Sequence, residues 1–184
     1  MPILRAKVIG AGSIGNHLAQ ACRRAGWEVT VVDTDPAALK RMREEIYPSR
    51  YGAWDDEIKL FESKKQPRGG FDVIFVGTPP DVHLPIAIDV LQKEAPKVLQ
   101  IEKPLCPPDL VGVASFLREL KKHKGTKVVV GYDHVLGENT GVAEQFIDKK
   151  LGKLITLDVS IRFDWQPILA AHPWLSGPRD TYLG

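Results

Sequence analysis

Short apolar runs alternate with amphipathic stretches along the first 135 residues, and the two periods predict strand and helix in turn. Residues 4–9 read as a strand, and residues 13–25 as a helix with small or apolar positions at Ile14, Leu18, Ala21, Cys22 and Ala25, closed by Gly26. EVTVVD at 28–33 predicts the next strand, and PAALKRMREEI a helix from Pro36 with Asp35 as its N-cap. A further strand is predicted at 51–54. A helix is then predicted over DDEIKLFESKK from Asp55, whose leading acids and trailing lysines complement a helix dipole. Beyond a loop at 67–70, FDVIFVGTPP, KVLQIEKPL and TKVVVGYDH predict strands, separated by helices over VHLPIAIDVLQKEA and PPDLVGVASFLRELKKHK.

Strands this apolar are covered on both faces, and the intervening helices are what cover them. The expected fold class is therefore α/β, a Rossmann-type doubly wound parallel sheet. Ligand-facing groups in such a sheet sit just past the carboxyl ends of the strands, so GAGSIG, DTDP, GTPP, EKP and GYDH should converge on one crevice.

Composition narrows the function classes. Apolar content of 43% with 26% charged residues fits a folded globular chain. A net charge of +2 gives no reason to expect a nucleic-acid partner, and KKHKGTK from Lys121 reads as a helix end and a turn. No run approaches the roughly 18 apolar residues of a membrane span. The first residues enter a strand directly, without signal-peptide architecture. Cys22 and Cys106 stand far apart with no metal-ligand spacing, so no metal site is expected, and two reduced thiols point to the cytoplasm.

The first strand end, Gly10-Ala11-Gly12-Ser13-Ile14-Gly15, carries the clearest chemistry. Gly10 allows a tight turn, Gly12 lets backbone approach a pyrophosphate, and Gly15 lets helix pack on strand. The helix start at Ser13 and Ile14 offers N–H groups to phosphate. Asp33 ends the second strand about 20 residues further on, as a dinucleotide fingerprint requires. Its carboxylate suits ribose hydroxyls and repels a 2′-phosphate, and Thr34, Asp35 and Pro36 behind it supply no cation, so NAD is expected in preference to NADP. Asp35, preceding Pro36, reads as a helix cap. Thr78, Pro79 and Pro80 read as a rigid turn by themselves, and His83 as either a backbone partner or a cofactor-facing group. Glu102 and Lys103 end an apolar strand in two opposite charges, a solvated terminus or a working pair.

Taken in order, GAGSIG, VVDTDP, VGTPPDVHLPIAI and LQIEKPL closely resemble the glucose-fructose oxidoreductase, inositol dehydrogenase and rhizopine-catabolism family, Gfo/Idh/MocA. VVVGYDH resembles the family's next signature, with Asp133 in place of the usual asparagine and Val135 in place of the usual arginine. The resemblance implies an NAD-dependent oxidoreductase passing a hydride between nicotinamide and a sugar, cyclitol or related alcohol. Lys103 would be the catalytic lysine at the nicotinamide and the reacting oxygen, where an ammonium stabilises developing negative charge. Gly10, Gly12, Ser13, Ile14, Gly15, Asp33, Thr34, Thr78, Pro79, Pro80, His83 and Glu102 would join it around the cofactor. Tyr132, Asp133, His134 and Trp165 would face a small-molecule substrate.

It further implies two domains, a cofactor domain over 1–135 and, over 136–184, a linking helix and the first part of an α+β open-sheet domain used for substrate binding and homo-oligomer contacts. NTGVAEQFIDKKL at 139–151 reads as the linking helix. From Leu154, LITLDVSIRFDW alternates as a half-exposed antiparallel strand, and His172, Trp174 and Arg179 are further candidates for the substrate side. The family's acid–base histidine would lie in an element after Gly184, and family members are commonly almost twice this length. The chain is therefore expected to be a fragment, a truncated form or a short form that assembles by strand pairing. A non-catalytic NAD-binding or regulatory module is the alternative.

Overall fold

The computed structural model describes residues 2–132, 137–153, 155–160, 162 and 164–171. Backbone contacts divide the chain into two compact units, Met1–Gly131 and Tyr132–Gly184.

In the first unit, six parallel strands stand in the order β3-β2-β1-β4-β5-β6: β1 (Arg5–Ile9), β2 (Glu28–Asp33), β3 (Ile58–Glu62), β4 (Val73–Val76), β5 (Val98–Ile101) and β6 (Lys127–Val130). The order reverses between β1 and β4, which makes their carboxyl ends the place where a doubly wound sheet opens a crevice. Helices α1 (Ser13–Arg24), α2 (Pro36–Arg41) and α3 (Tyr47–Tyr51) follow β1 and β2, while α4 (His83–Lys93) and α5 (Val113–Leu120) follow β4 and β5.

Alternate strand residues face opposite sides of the sheet. Ala6, Val8, Val29, Val31, Ile58 and Phe75 gather with Ala19, Cys22, Leu39, Met42 and Tyr47 in one apolar cluster. Ile74, Val76, Leu99 and Ile101 gather with Leu84, Ala87, Leu91 and Phe116 in another. Each fully buried Val, Leu or Ile side chain favours the folded state by about 1.5–3 kcal/mol over exposure, so the two clusters fix the faces on which the helices lie.

The same alternation turns Lys7 inward, away from Ala6 and Val8. Lys7 is fully buried and its ammonium meets Glu94 Oε1 and Oε2 at 2.8 and 2.7 Å, Pro67 O at 2.7 Å and Gln66 Oε1 at 3.1 Å. Glu94 Oε2 also accepts the Gly69 N–H at 3.0 Å. This buried pair stitches the irregular β3-to-β4 link onto the end of α4. Burial pushes the Lys7 ammonium below its ordinary value, against the raising effect of the Glu94 carboxylate.

Four expectations in this unit need correction. Residues 51–54 form no strand: Tyr51 ends α3, and Gly52 turns the chain at φ +89°. Nor does IKLFE sit in a helix; it is β3, paired in parallel with Val29–Asp33 of β2, because Ile58 and Leu60 alternate into the core beside Val29 and Val31. The end charges resembled a helix dipole, but the apolar period is two. The helix from Pro36 also runs on past Ile46. Pro48 has no N–H for the carbonyl four residues back, and the chain passes through a π-turn at Met42–Ile46 before α3. Farther on, α5 starts only at Val113, after Leu110 (φ +58°) and Gly112 (φ +90°) take left-handed turns.

In the second unit, α6 (Glu138–Phe146) continues through a π-turn at Ile147–Leu151, so that the stretch 139–151 is helical as expected. The strand expected from Leu154 is not formed: residues 155–160 carry no regular structure, with Ile155 90% and Leu157 and Val159 69% exposed, and Trp165–Ala171 form helix α7. An antiparallel strand needs a neighbour for its N–H and C=O groups. None of the described residues pairs with this stretch. Leu154, Ile161, Phe163, His172, Trp174 and Arg179 lie outside the described residues.

Candidate functional site at the strand ends

Hydrogen bonding continues one residue past the strands and levels their carboxyl ends. Gly10 N–H donates to Val32 O at 2.8 Å, Gly77 N–H to Ile9 O at 2.8 Å, Glu102 N–H to Val76 O at 2.9 Å and Gly131 N–H to Ile101 O at 2.8 Å. The glycine loop, the Thr-Pro-Pro turn, the Glu-Lys-Pro triplet and the end of β6 therefore stand side by side on one edge.

Two glycines are required by the close packing there. A Cβ on Gly10, whose φ is +109°, would sit 2.5 Å from Gly77 O; one on Gly15 would sit 3.0 Å from the Gly10 carbonyl carbon and closer still to its oxygen. Gly12 differs, with nothing within 4 Å of a Cβ placed on it. It is the N-cap of α1 and contributes no side-chain hydrogen bond, so the first-turn N–H groups at Ser13 and Ile14 have no side-chain cap.

Asp33 joins this loop to its own strand end. Its Oδ2 accepts the Ala11 N–H at 2.7 Å and its Oδ1 the Asp35 N–H at 2.9 Å. A carboxylate has about four lone-pair positions, so these two bonds orient it and leave capacity for hydroxyl donors. Asp35 caps α2 by accepting the Ala37 N–H at 2.9 Å, as its place before Pro36 suggested.

A cavity of about 600 Å³ opens beside the loop and is bounded by Gly10, Gly12, Asp33, Thr34, Thr78 and Pro79. Its far wall is the face of α4 bearing Pro85, Ile86, Asp89 and Val90, with Val82 ahead of it and Ser63 and Gln66 from the β3-to-β4 link. Sequence reading missed these residues; the helical spacing of Val82, Ile86 and Val90 was visible but equally suited a core. Pro80 bounds a separate hollow of about 250 Å³ with Leu84 and Cys106.

His83 lies beneath the edge rather than facing the cavity. It is fully buried, with Nε2 2.6 Å from Thr78 O and Nδ1 2.9 Å from Pro104 O, so it straps the Thr-Pro-Pro turn to the Glu-Lys-Pro turn. The Lys103–Pro104 peptide bond is cis, and Lys103 is exposed at the end of β5. Glu102 is half-buried: its Oε1 accepts from Gln100 Nε2 at 3.3 Å, and it lies where a Cβ on Gly131 would be, 2.6 Å away. In the second unit Tyr132 is 54% exposed and Trp165 opens α7, half-buried; Asp133 and His134 lie outside the described residues. Cys22 is buried, which pushes its thiol up to about 11 and leaves it inert. The described residues contain no group of His, Cys, Asp and Glu able to hold a metal ion. No described helix is long and apolar enough to cross a membrane.

A dinucleotide fits these features. Gly12 leaves open space where a phosphate would approach, the start of α1 is uncapped, and the buried Thr78 Oγ1 at the cavity lacks a protein partner. Fold and site thus define a dinucleotide-binding domain. The family model described as "Oxidoreductase family, NAD-binding Rossmann fold", Gfo/Idh/MocA, matches residues 4–132, and the chain belongs to that family. Its cofactor is NAD.

No curated protein matches the chain. Among solved structures it is similar to a diketoreductase (16% identity, TM-score 0.51), covering 73% of this chain and 52% of that one. A (S)-3-hydroxybutyryl-CoA dehydrogenase from Ralstonia eutropha is 15% identical (TM-score 0.52; 83% and 62% covered). A glycerol-3-phosphate dehydrogenase from Coxiella burnetii is 17% identical (TM-score 0.51; 70% and 40%). These likenesses establish the Rossmann fold. The chain spans about half the length of these structures.

Proposed function

We propose that the protein is an NAD-dependent dehydrogenase in which Lys103 binds and polarises the reacting oxygen of a hydroxyl-bearing small molecule, a sugar, cyclitol or related polyol. The observation that supports this reading is the levelled edge of the sheet, on which Glu102 stands beside Gly77 and Lys103 follows as the next, exposed residue. Bound NAD supplies the hydride acceptor. The chain's own part is to hold the pyrophosphate over Gly12, Ser13 and Ile14, to receive the adenosine ribose at Asp33 with Thr34 alongside, and to present an ammonium at the reacting oxygen. There it stabilises the negative charge that grows as hydride leaves or arrives.

Glu102 positions Lys103 by filling the space over Gly131, and His83 positions it by holding Pro104. The polyol class is supported by the family resemblance and by a charged strand end suited to hydroxyls. From about residue 136, in this reading, the chain begins a second domain that carries the substrate side, with Tyr132, Asp133, His134 and Trp165 at its start, and mediates homo-oligomer contacts. Two widely separated cysteines, one of them buried, suit a cytoplasmic setting.

The test is Lys103→Met in the full-length protein, read by NADH binding and by NAD reduction over a panel of polyols and aldoses. NADH affinity should remain within about threefold while turnover falls by about 10²-fold or more, the usual cost of removing one charge-stabilising group. Equal turnover in the variant would remove Lys103 from the chemistry. An unmutated protein that binds NADH yet oxidises nothing on the panel would favour the non-catalytic NAD-binding module.

A further inference from the structure

We propose that Arg50 is a cofactor-binding residue, a fixed cation for the pyrophosphate, and that His17 and Tyr51 are the positioning residues that hold it against the glycine loop. The proposal rests on NAD binding at that loop. Arg50 Nη1 donates to the carbonyl oxygen of Ser13, the first residue of α1, at 3.1 Å, and also stands 3.2 Å from His17 Nε2. A guanidinium only donates, so His17 Nε2 accepts. The ring proton of a neutral His17 then sits on Nδ1, where it meets the Tyr51 hydroxyl. Burial and the adjacent Arg50 both hold His17 below its ordinary value, in keeping with a neutral ring.

Tyr51 is itself seated edge-on against Tyr47, with ring centroids 5.1 Å apart, and Tyr47 is a core residue only 5% exposed. The extension of the helix through the π-turn and Pro48 is what carries Arg50 and Tyr51 to α1.

Charge gives the arrangement its purpose. GAGSIG and DTDP contain no cation, and of the carboxylates that bound the cavity Glu94 is paired with Lys7 and Asp89 with Arg68 and Lys93, which leaves Asp33 beside the loop. Arg41, the basic residue near that strand end, stands 3.4 Å from Asp35. A diphosphate entering here meets the Asp33 carboxylate and backbone dipoles. Arg50 brings a permanent positive charge into direct contact with the first residue of the helix that receives it, and both of its contacts use a single nitrogen of a five-donor fork.

The experiment measures affinities of unmutated protein, Arg50→Gln, Arg50→Lys and Tyr51→Phe for NADH, ADP and adenosine at two salt concentrations. Arg50→Gln should weaken NADH and ADP by about three- to tenfold, the scale of one exposed cation acting on a diphosphate, leave adenosine unchanged and flatten the salt dependence. Arg50→Lys should recover part of the loss, and Tyr51→Phe should reproduce a fraction of it. Unchanged ADP affinity in Arg50→Gln would overturn the proposal, as would an equal loss of ADP and adenosine, which marks a merely structural role. Failure of the unmutated protein to bind either NADH or ADP would instead overturn NAD binding at this loop, and the proposal with it.

Discussion

Substituting alanine separately at Gly12 and Gly15 distinguishes a glycine that the cofactor needs from one that the fold needs. At Gly15 the added methyl would lie 3.0 Å from the Gly10 carbonyl carbon and closer to its oxygen, and both atoms belong to backbone pinned by the Gly10-to-Val32 hydrogen bond. Helix propensity alone would make Gly15→Ala favourable by about 1 kcal/mol, whereas forcing a methyl into closed packing costs about 1–3 kcal/mol or more, so a net loss of stability is expected. For a chain of this size each kcal/mol lowers the melting temperature by about 2–4 °C, and Gly15→Ala should melt several degrees early.

Gly12 has open space around a Cβ and an ordinary extended conformation, φ −78° and ψ −165°. Replacing a glycine N-cap by alanine costs at most about 1 kcal/mol, so stability should change little. If the pyrophosphate crosses this position, however, the methyl occupies its place, and NADH affinity should fall at least about tenfold, equal to 1.4 kcal/mol. Thermal melts and NADH fluorescence titration on the two variants read both effects. Unchanged NADH affinity in Gly12→Ala would refute the reasoning, because the cofactor would then not pass over the glycine loop.

Asp33→Ala should weaken NAD and narrow its advantage over NADP in competition titrations; equal affinity of the unmutated chain for the two would refute the ribose role of Asp33. Lys7→Met, which leaves Glu94 buried without its cation, should cost about 3–5 kcal/mol in denaturant melts, and Lys7→Met with Glu94→Leu should recover much of it. An equal or larger loss in the double variant would show that the pair is not the source. Lys122 and then His123 hold the Glu119 carboxyl down at about 2, below its ordinary 4.5. Its contribution is thus present above pH 4.5 and lost as pH falls toward 2. Glu119→Gln should flatten the decline of melting temperature across that interval, and an unaltered slope would count against the triad.

Apolar runs made most of the sheet legible: β1, β2, β4, β5 and β6 are each bordered by a chain reversal with a plain signal, such as Gly26 at φ +77° after α1. β3 was missed because its acids and lysines lie at the two ends of IKLFE, where charge mimics a helix dipole, and only pairing with β2 reveals the period of two. Similarly, the start of α5 depends on left-handed turns at Leu110 and Gly112 that leave little trace in composition. On the site, glycine spacing and strand ends located Gly10, Gly12, Asp33 and Thr78 around one cavity. Tertiary placement alone reveals that His83 is a buried strap and that Arg50, nearly 40 residues along the chain, touches Ser13. Lys7 carried a readable signal, since alternation with Ala6 and Val8 turns it inward.

The most direct measurement is a calorimetric titration of NADH, and in parallel NADPH, into the unmutated protein. One NADH per chain is expected, displaced by NAD and bound more tightly than NADPH. Absence of heat or fluorescence change with either nucleotide, from protein that melts cooperatively, would contradict a cofactor site at the glycine loop.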